Sequence, residues 1–207
     1  MTGRAFEWAA AAAAARSGQG VSGDSYVVEP VPSGLLVAVV DAIGHGPNAA
    51  RVATRVVDLV REHREKSLTS IMAICHAELR STRGATMRLV RLDGSSQAMS
   101  WIGIGSVAVV LQRSHAEGSS KIEHLLVRSG VVGDGVPILL PSSVDFNFGD
   151  RLIMTTDGIR RDFADALPGG WQPPELARTL LREYGSQADD ALVLVIRRRS
   201  GVDAPGN

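Results

Sequence analysis

Hydrophobic positions change period several times along this chain. Val37 to Val40 is an unbroken apolar run of strand length, the pattern of a strand covered on both faces. After Gly46, Pro47 suits the first turn of a helix, where a missing N–H costs nothing. Ala49, Val52, Ala53, Val56 and Val60 then recur at helical spacing, with Arg51, Arg55, Asp58 and Arg61 on the other faces. The pattern breaks near Ser67. Leu68, Ile71, Met72, Cys75 and Leu79 form a second stripe, so two helices are predicted in succession.

From Gly84 to about Ile153 the period shortens. Met87 and Leu89 alternate with their neighbours, Asp93-Gly94 is a hairpin signal, and Gln97 to Ile104 returns. Val107 to Leu111 continues the series, and Arg113 to Ser120 reads as an exposed polar loop. Ile122 to Val127, Val144 to Phe148 and Arg151 to Thr156 are further strands, with Gly149-Asp150 as a turn. A third helix fits Pro173 to Tyr184, stopped by Gly185, and Ala191 to Arg197 is the last strand. The alanine run at 8–15 has two readings: propensity favours a helix, the architecture a first strand. Strands, two helices, many strands, helix, strand is not regular βα alternation. It predicts an α+β sandwich of largely antiparallel sheets with helices outside.

Composition adds bounds. With 207 residues, 44% of them hydrophobic, the chain can bury one substantial core, expected as a single domain over 1–200 with a tail at 201–207. Basic and acidic residues balance at 22 each, so nothing pulls the whole chain toward nucleic acid or an anionic membrane. Arg197-Arg198-Arg199 is the one local basic run, read as a solvated strand end. The single cysteine, Cys75, excludes an intramolecular disulfide, fits a cytoplasmic location and falls on a helical stripe as a core residue. No run reaches membrane-spanning length, and the alanine stretch follows Glu7, unlike a secretory leader.

Four acidic stretches carry the chemistry: Ser22-Gly23-Asp24-Ser25, Asp41 to Gly46, Thr155-Thr156-Asp157-Gly158 and Asp189-Asp190-Ala191-Leu192. Three of them fall where a strand-like run meets a turn. An ionised Asp at a sheet end is costly unless a cation compensates it. Several converging in space would suit hard divalent metals, which prefer oxygen ligands. Two such metals can activate water and hold both oxygens of an in-line displacement. Gly23, Gly44, Gly46 and Gly158 remove side chains where the backbone must turn sharply or approach a metal or phosphate. A lone Asp-Gly is usually only a turn. The order of the four motifs is more specific.

In that order the chain resembles the metal-dependent type 2C-like (PPM) serine/threonine phosphatases, in particular the bacterial SpoIIE/RsbU/RsbX branch. The markers are Ser22-Gly23-Asp24, Asp41-x-x-Gly44-His45-Gly46, Gly103-x-Gly105, Gly149-Asp150 with the apolar run to Thr156-Asp157-Gly158, and Asp189-Asp190 before the last strand. The resemblance implies an α-β-β-α sandwich and two divalent metals, Mn²⁺ or Mg²⁺. It makes Asp41 the bridging carboxylate, the Ala42 carbonyl a ligand of one metal with Asp24 on that side, and Asp157 and Asp189 ligands of the other. Asp190 and Gly158 would support the ligands from behind. The implied reaction is direct attack of a metal-bridging hydroxide on phosphoserine or phosphothreonine, without a phosphoenzyme. Because the catalytic domain is expected to fill the chain, RsbX is the nearest type. This implies phosphorylated STAS-domain stressosome proteins as partners and a role in resetting stress signalling, with no nucleic acid or membrane partner.

Three positions depart from the family pattern: Ala42 for a common glycine, Gly23 where larger relatives carry a metal-binding Glu, and Leu192 where Thr is frequent. Two further residues have both a catalytic and a plain reading. His45 could give a proton to the leaving alkoxide, or pack or cap the following helix. Arg16 could contact the substrate phosphate, or be a solvated loop residue. Two rival functions stay open. One is a non-catalytic phosphoprotein- or kinase-binding module on the same scaffold. The other is a small-molecule phosphate hydrolase, which would need a closed pocket.

Overall fold

The structure, a computed structural model, describes residues 5–15, 20–114, 120–126, 128–135 and 139–199. Among the described residues, ten strands form two antiparallel sheets. The first contains β1 (Phe6–Ala13), β10 (Ala191–Arg198), β9 (Arg151–Thr155), β6 (Ala108–Ser114) and β7 (Ser120–His124), in that spatial order. The second runs β2 (Asp24–Val31), β3 (Gly34–Ala42), β4 (Ala85–Asp93), β5 (Ala98–Ile104), β8 (Ser142–Asp145). Helices α1 (Gly46–Glu62) and α2 (Leu68–Leu79) cover the second sheet, and α3 (Pro173–Tyr184) covers the first. This is the expected α-β-β-α order.

The continuous apolar run in β3 splits by parity between two cores. Leu35, Val37 and Val39 join Val90, Met154, Leu194 and Ile196 between the sheets. Leu36, Ala38 and Val40 pack instead with Val56, Val60, Ile71 and Cys75 beneath the helices. A third core joins Val193 and Val195 to Leu176, Ala177 and Leu180 of α3. The predicted α2 stripe is buried in full, and burial pushes the Cys75 thiol up to about 12, which leaves it unreactive. Ser67 caps α2 by accepting from the Ser70 N–H at 3.1 Å.

The alanine run is a strand. Residues from Phe6↔Arg198 to Ala13↔Ala191 pair in unbroken register, and this ladder overrides a helix propensity worth only tenths of a kcal/mol (~0.5) per residue. Small side chains suit the place, because Ala11 faces the α3 core while Ala10 faces the core between the sheets. Gly185 does end α3, but at φ −71°, without the left-handed turn common at such caps. Its role is close approach: a Cβ there would overlap the Leu181 carbonyl oxygen.

Two expectations need correction. Arg113, Ser114 and Ser120 belong to β6 and β7, so the connecting loop is shorter than its polarity suggested, and 115–119 lie outside the described residues. Arg198 is no solvated strand end. It is 2% exposed, donates to the Asp93 and Gly94 carbonyls at 2.7 and 2.9 Å, and lies between the Phe6 and Phe148 rings at 5.5 and 5.1 Å. The tail at 201–207 lies outside the described residues. No described helix is long and apolar enough to cross a membrane.

Candidate metal centre

Asp24 opens β2, and Asp41 is the penultimate residue of β3. Register places them directly opposite one another, with Thr86 of β4 opposite Asp41 on its other side. All three share the parity of Val37, Val39 and Val90, so they lie at one end of the space between the sheets. The other sheet contributes from the same end: Asp157 two residues after β9, and Asp189 two before β10. The structure therefore brings together the four aspartates singled out from the sequence. Asp24 and Asp41 are half-buried, Asp157 and Asp189 exposed.

Burial and neighbouring carboxylates together register in the acidity of Asp24, Asp41 and Asp157. Burial, followed by the charges of Asp41, Asp190 and Asp157, raises Asp24 to about 8, against the lowering effect of its Thr156 hydrogen bond. Burial is also the main cause at Asp41, raised to about 6 with the charges of Asp157 and Asp189 adding to it. Asp157 is raised by burial and by Asp189. None of these four aspartates forms an ion pair among the described residues, although Arg161 lies within electrostatic reach of Asp157. The cluster is open: no three described His, Cys, Asp or Glu side chains already close on one point. An all-oxygen, anion-rich donor set with no cation bonded into it fits hard divalent metals.

Neutral hydroxyls hold the carboxylates in place. Ser106 donates to Asp41 Oδ2 at 2.7 Å, Thr86 to the same oxygen at 3.3 Å, and the two hydroxyls lie 2.9 Å apart. Thr156 Oγ1 donates to Asp24 Oδ2 at 2.6 Å and accepts the Leu192 N–H at 2.9 Å, linking the two sheets through the site. Sequence reasoning assigned no role to Ser106, Thr86 or Thr156. Their signal was proximity to marked positions: Ser106 follows Gly103-x-Gly105, and Thr156 precedes Asp157.

Asp190 is 4% exposed and faces away from solvent. Its Oδ1 accepts the Ala15 N–H at 2.8 Å and its Oδ2 the Gly23 N–H at 2.6 Å, tying both residues to the start of β10. Gly158 is needed for this packing, since a Cβ there would overlap the Asp190 carbonyl oxygen. At Gly23 an added Cβ would stand 2.9 Å from Ala49 Cβ and 3.3 Å from the Ala42 carbonyl oxygen. The position where larger relatives carry Glu is thus closed to any side chain. Ala42 keeps a negative φ, so alanine is tolerated at the proposed carbonyl ligand.

His45 stands at the N-cap of α1 without capping it through its side chain, and it is exposed. No described hydrogen bond or ion pair joins it to the aspartates. Arg16 lies outside the described residues. Gly103 and Gly105 admit close packing, the former against the Arg88 side chain and the latter, at φ +90°, against Thr86. Both are strand packing beside the site.

Comparison with known proteins agrees with this fold. Phosphoserine phosphatase RsbX of Bacillus subtilis (strain 168) is 23% identical over 176 residues, covering 84% of this chain and 86% of that protein. A chain solved in work on the bacterial stressosome as a modular system controlling secondary-messenger signalling is 30% identical. It has a TM-score of 0.82, over 93% of this chain and 99% of that one. The crystal structure of RsbX with magnesium shares the fold at a TM-score of 0.82 and 21% identity, over 93% and 95% of the two chains. Residues 32–199 match the family described as Stage II sporulation protein E (SpoIIE), and the chain belongs to that family of PPM-type phosphatases.

Proposed function

We propose that this protein is a metal-dependent protein serine/threonine phosphatase whose substrates are phosphorylated STAS-domain proteins of a stressosome. The observation that carries the reaction type is the cluster itself: Asp24, Asp41, Asp157 and Asp189 lie at one end of the inter-sheet space, where burial and then the neighbouring carboxylates raise the pKa of Asp24, Asp41 and Asp157. In this reading Asp41 would help hold both of two divalent cations, Mn²⁺ or Mg²⁺. Asp24 and the Ala42 carbonyl would serve one of them, and Asp157 and Asp189 the other. When bound, the metals supply positive charge for the phosphoryl oxygens and an activated water as nucleophile.

The chain's own residues do the positioning. Ser106 and Thr86 fix the Asp41 carboxylate, and Thr156 fixes Asp24. In net hydrolysis a water oxygen bonds to phosphorus, the P–O bond to the seryl or threonyl oxygen breaks, and that oxygen takes up a proton. His45, four residues after Asp41, is the proposed donor. The exposure of Asp157 and Asp189 leaves the site open at the surface, which favours a protein substrate over a metabolite in a closed pocket. RsbX and the stressosome chain support the signalling context.

The test is phosphatase activity of purified protein on phosphorylated STAS-domain proteins and on a generic phosphopeptide, with and without Mn²⁺ or Mg²⁺, for wild type, Asp41→Ala and Asp157→Ala. Metal-dependent activity lost in both variants is expected. Equal activity in every sample would rule out the metal mechanism, and hydrolysis of the generic peptide alone would rule out the substrate.

A further inference from the structure

Next to the acidic cluster lies a cavity of about 790 Å³ with the opposite charge. It lies between the start of α1 and the turn that follows α2, and its ionisable lining is His45, Arg51, Arg55, Arg83 and Glu78. Glu78 is the one acid, and it is spent on Arg55 at 2.9 Å. Arg51 bonds the neutral Asn48 side chain. Arg83 is exposed and has no hydrogen bond or ion pair among the described residues. Two guanidinium groups are therefore unmatched by any acid in a cavity of ligand size.

Arg83 also fixes where this cavity stands relative to the site. A Cβ on Gly44 would come within 2.8 Å of Arg83 Nη1, so the guanidinium lies over the Asp41–Gly46 turn, three residues from the proposed bridging carboxylate. Gly44 also has φ +104°, which favours glycine for the turn, and its missing Cβ leaves room for this arginine.

We propose that this cavity is a subsite for acidic residues, Asp or Glu, flanking the phosphorylated residue of the substrate, with Arg51 and Arg83 as the recognising groups. The inference rests on the phosphatase reading for the reason a substrate segment comes here. The subsite itself is defined by charge and place. Guanidinium groups bind carboxylates in bidentate fashion. An anionic segment approaching an acidic cluster also gains from a basic lane beside it. Such a subsite selects by sequence around the phosphate and leaves the chemistry of the phosphate untouched.

Two assays on full-length protein test it separately from the phosphatase reading. In the first, a fluorescein-labelled phosphopeptide with Asp and Glu flanks, and its Asn/Gln counterpart, are titrated in EDTA and followed by anisotropy. Wild type should bind the acidic peptide about 10-fold more tightly, and R51A/R83A should lose this preference. R51E/R83E should prefer a Lys-flanked peptide, which a merely structural role could not produce. Both arginines are exposed, so circular dichroism should show intact folds. No preference in wild type, or one unchanged in R51A/R83A, would overturn the subsite. In the second assay, with metal, R51A/R83A should raise KM for the acidic phosphopeptide about 10-fold and leave p-nitrophenyl phosphate turnover unchanged. Equal losses on both substrates would also overturn the subsite, whereas a wild type inactive on every substrate would defeat the phosphatase reading and leave the anisotropy to decide the subsite.

Discussion

Asp24 and Asp41 face each other directly across the β2–β3 ladder, a like-charged pair in a position that normally favours opposite charges. Such a pair costs stability unless protons or cations neutralise it. The arrangement thus exchanges stability for a site that attracts divalent metal. Replacing Asp41 by Asn keeps the shape and removes the charge. D41N should lower metal-dependent phosphatase activity at least about 100-fold, the upper range for losing a mere supporting partner of a metal ligand. In EDTA it should melt no lower than wild type. A variant that stays active with its full metal response would contradict the bridging role.

The acidity of the pair gives a pH prediction with a definite sign. Both folded-state pKa values, about 8 for Asp24 and about 6 for Asp41, lie above the ordinary 3.8. Between those limits the metal-free native state binds more protons than the unfolded chain, so stability falls as pH rises. The contribution is complete below about pH 4 and is lost as pH passes through 6 and then 8. The melting temperature in EDTA should therefore drop by several degrees between pH 5 and pH 8.5, and Mg²⁺ or Mn²⁺ should suppress the drop. D24N should flatten its upper part. A melting temperature that rose with pH in EDTA would show that the carboxylates do not interact as described.

Asp190 yields a graded stability series. Its two oxygens each accept a buried N–H, from Ala15 and from Gly23, so D190A leaves two donors without partners. At roughly 1.5 to 3 kcal/mol for each hydrogen bond to a charged group, the loss should be on the order of 3 kcal/mol or more. Asn keeps one acceptor oxygen and should fall between. Urea denaturation of the three proteins would check the order. Equal destabilisation by Asn and Ala would mean that the two hydrogen bonds do not act separately.

His45 should reveal itself through the leaving group. A departing seryl oxygen needs a proton, while p-nitrophenolate leaves readily without one. His45→Ala should therefore reduce phosphoserine hydrolysis on the order of 100-fold and p-nitrophenyl phosphate hydrolysis little. A uniform loss on both substrates would point to the α1 N-terminus, where His45 stands, having shifted.

The sandwich was legible in the sequence because period and turn signals agreed: the α2 stripe, the Asp93-Gly94 hairpin and α3 from Pro173 to Tyr184 all stand where the pattern put them. The alanine strand could not be settled that way, since its conformation is decided by pairing with β10, nearly two hundred residues away. The aspartates could be found as residues of a costly type at strand ends. Their hydroxyl partners could not, because a Ser or Thr in a loop has no distinctive spacing and only the fold brings Ser106 to Asp41. Arg198 was misjudged for a related reason: nothing local marks an arginine that will be enclosed by Phe6 and Phe148.

Thr156 joins these scales, because one hydroxyl serves both fold and site. It donates to Asp24 of one sheet and accepts from Leu192 of the other at 2.6 and 2.9 Å. Thr156→Val preserves size and β-branching while deleting both bonds. It leaves the Leu192 N–H without this acceptor, at a cost of about 1–3 kcal/mol. It also removes the one hydrogen bond that lowers the Asp24 pKa, so Asp24 should titrate higher and release its proton to metal less readily. Metal affinity by calorimetry should fall about 10- to 100-fold, more steeply below pH 7 than above. Thr156→Ser restores the hydroxyl and should recover most of the affinity. If Thr156→Ser bound metal no better than Thr156→Val, the hydroxyl would not set the affinity, and Asp24 would have to be held by something else.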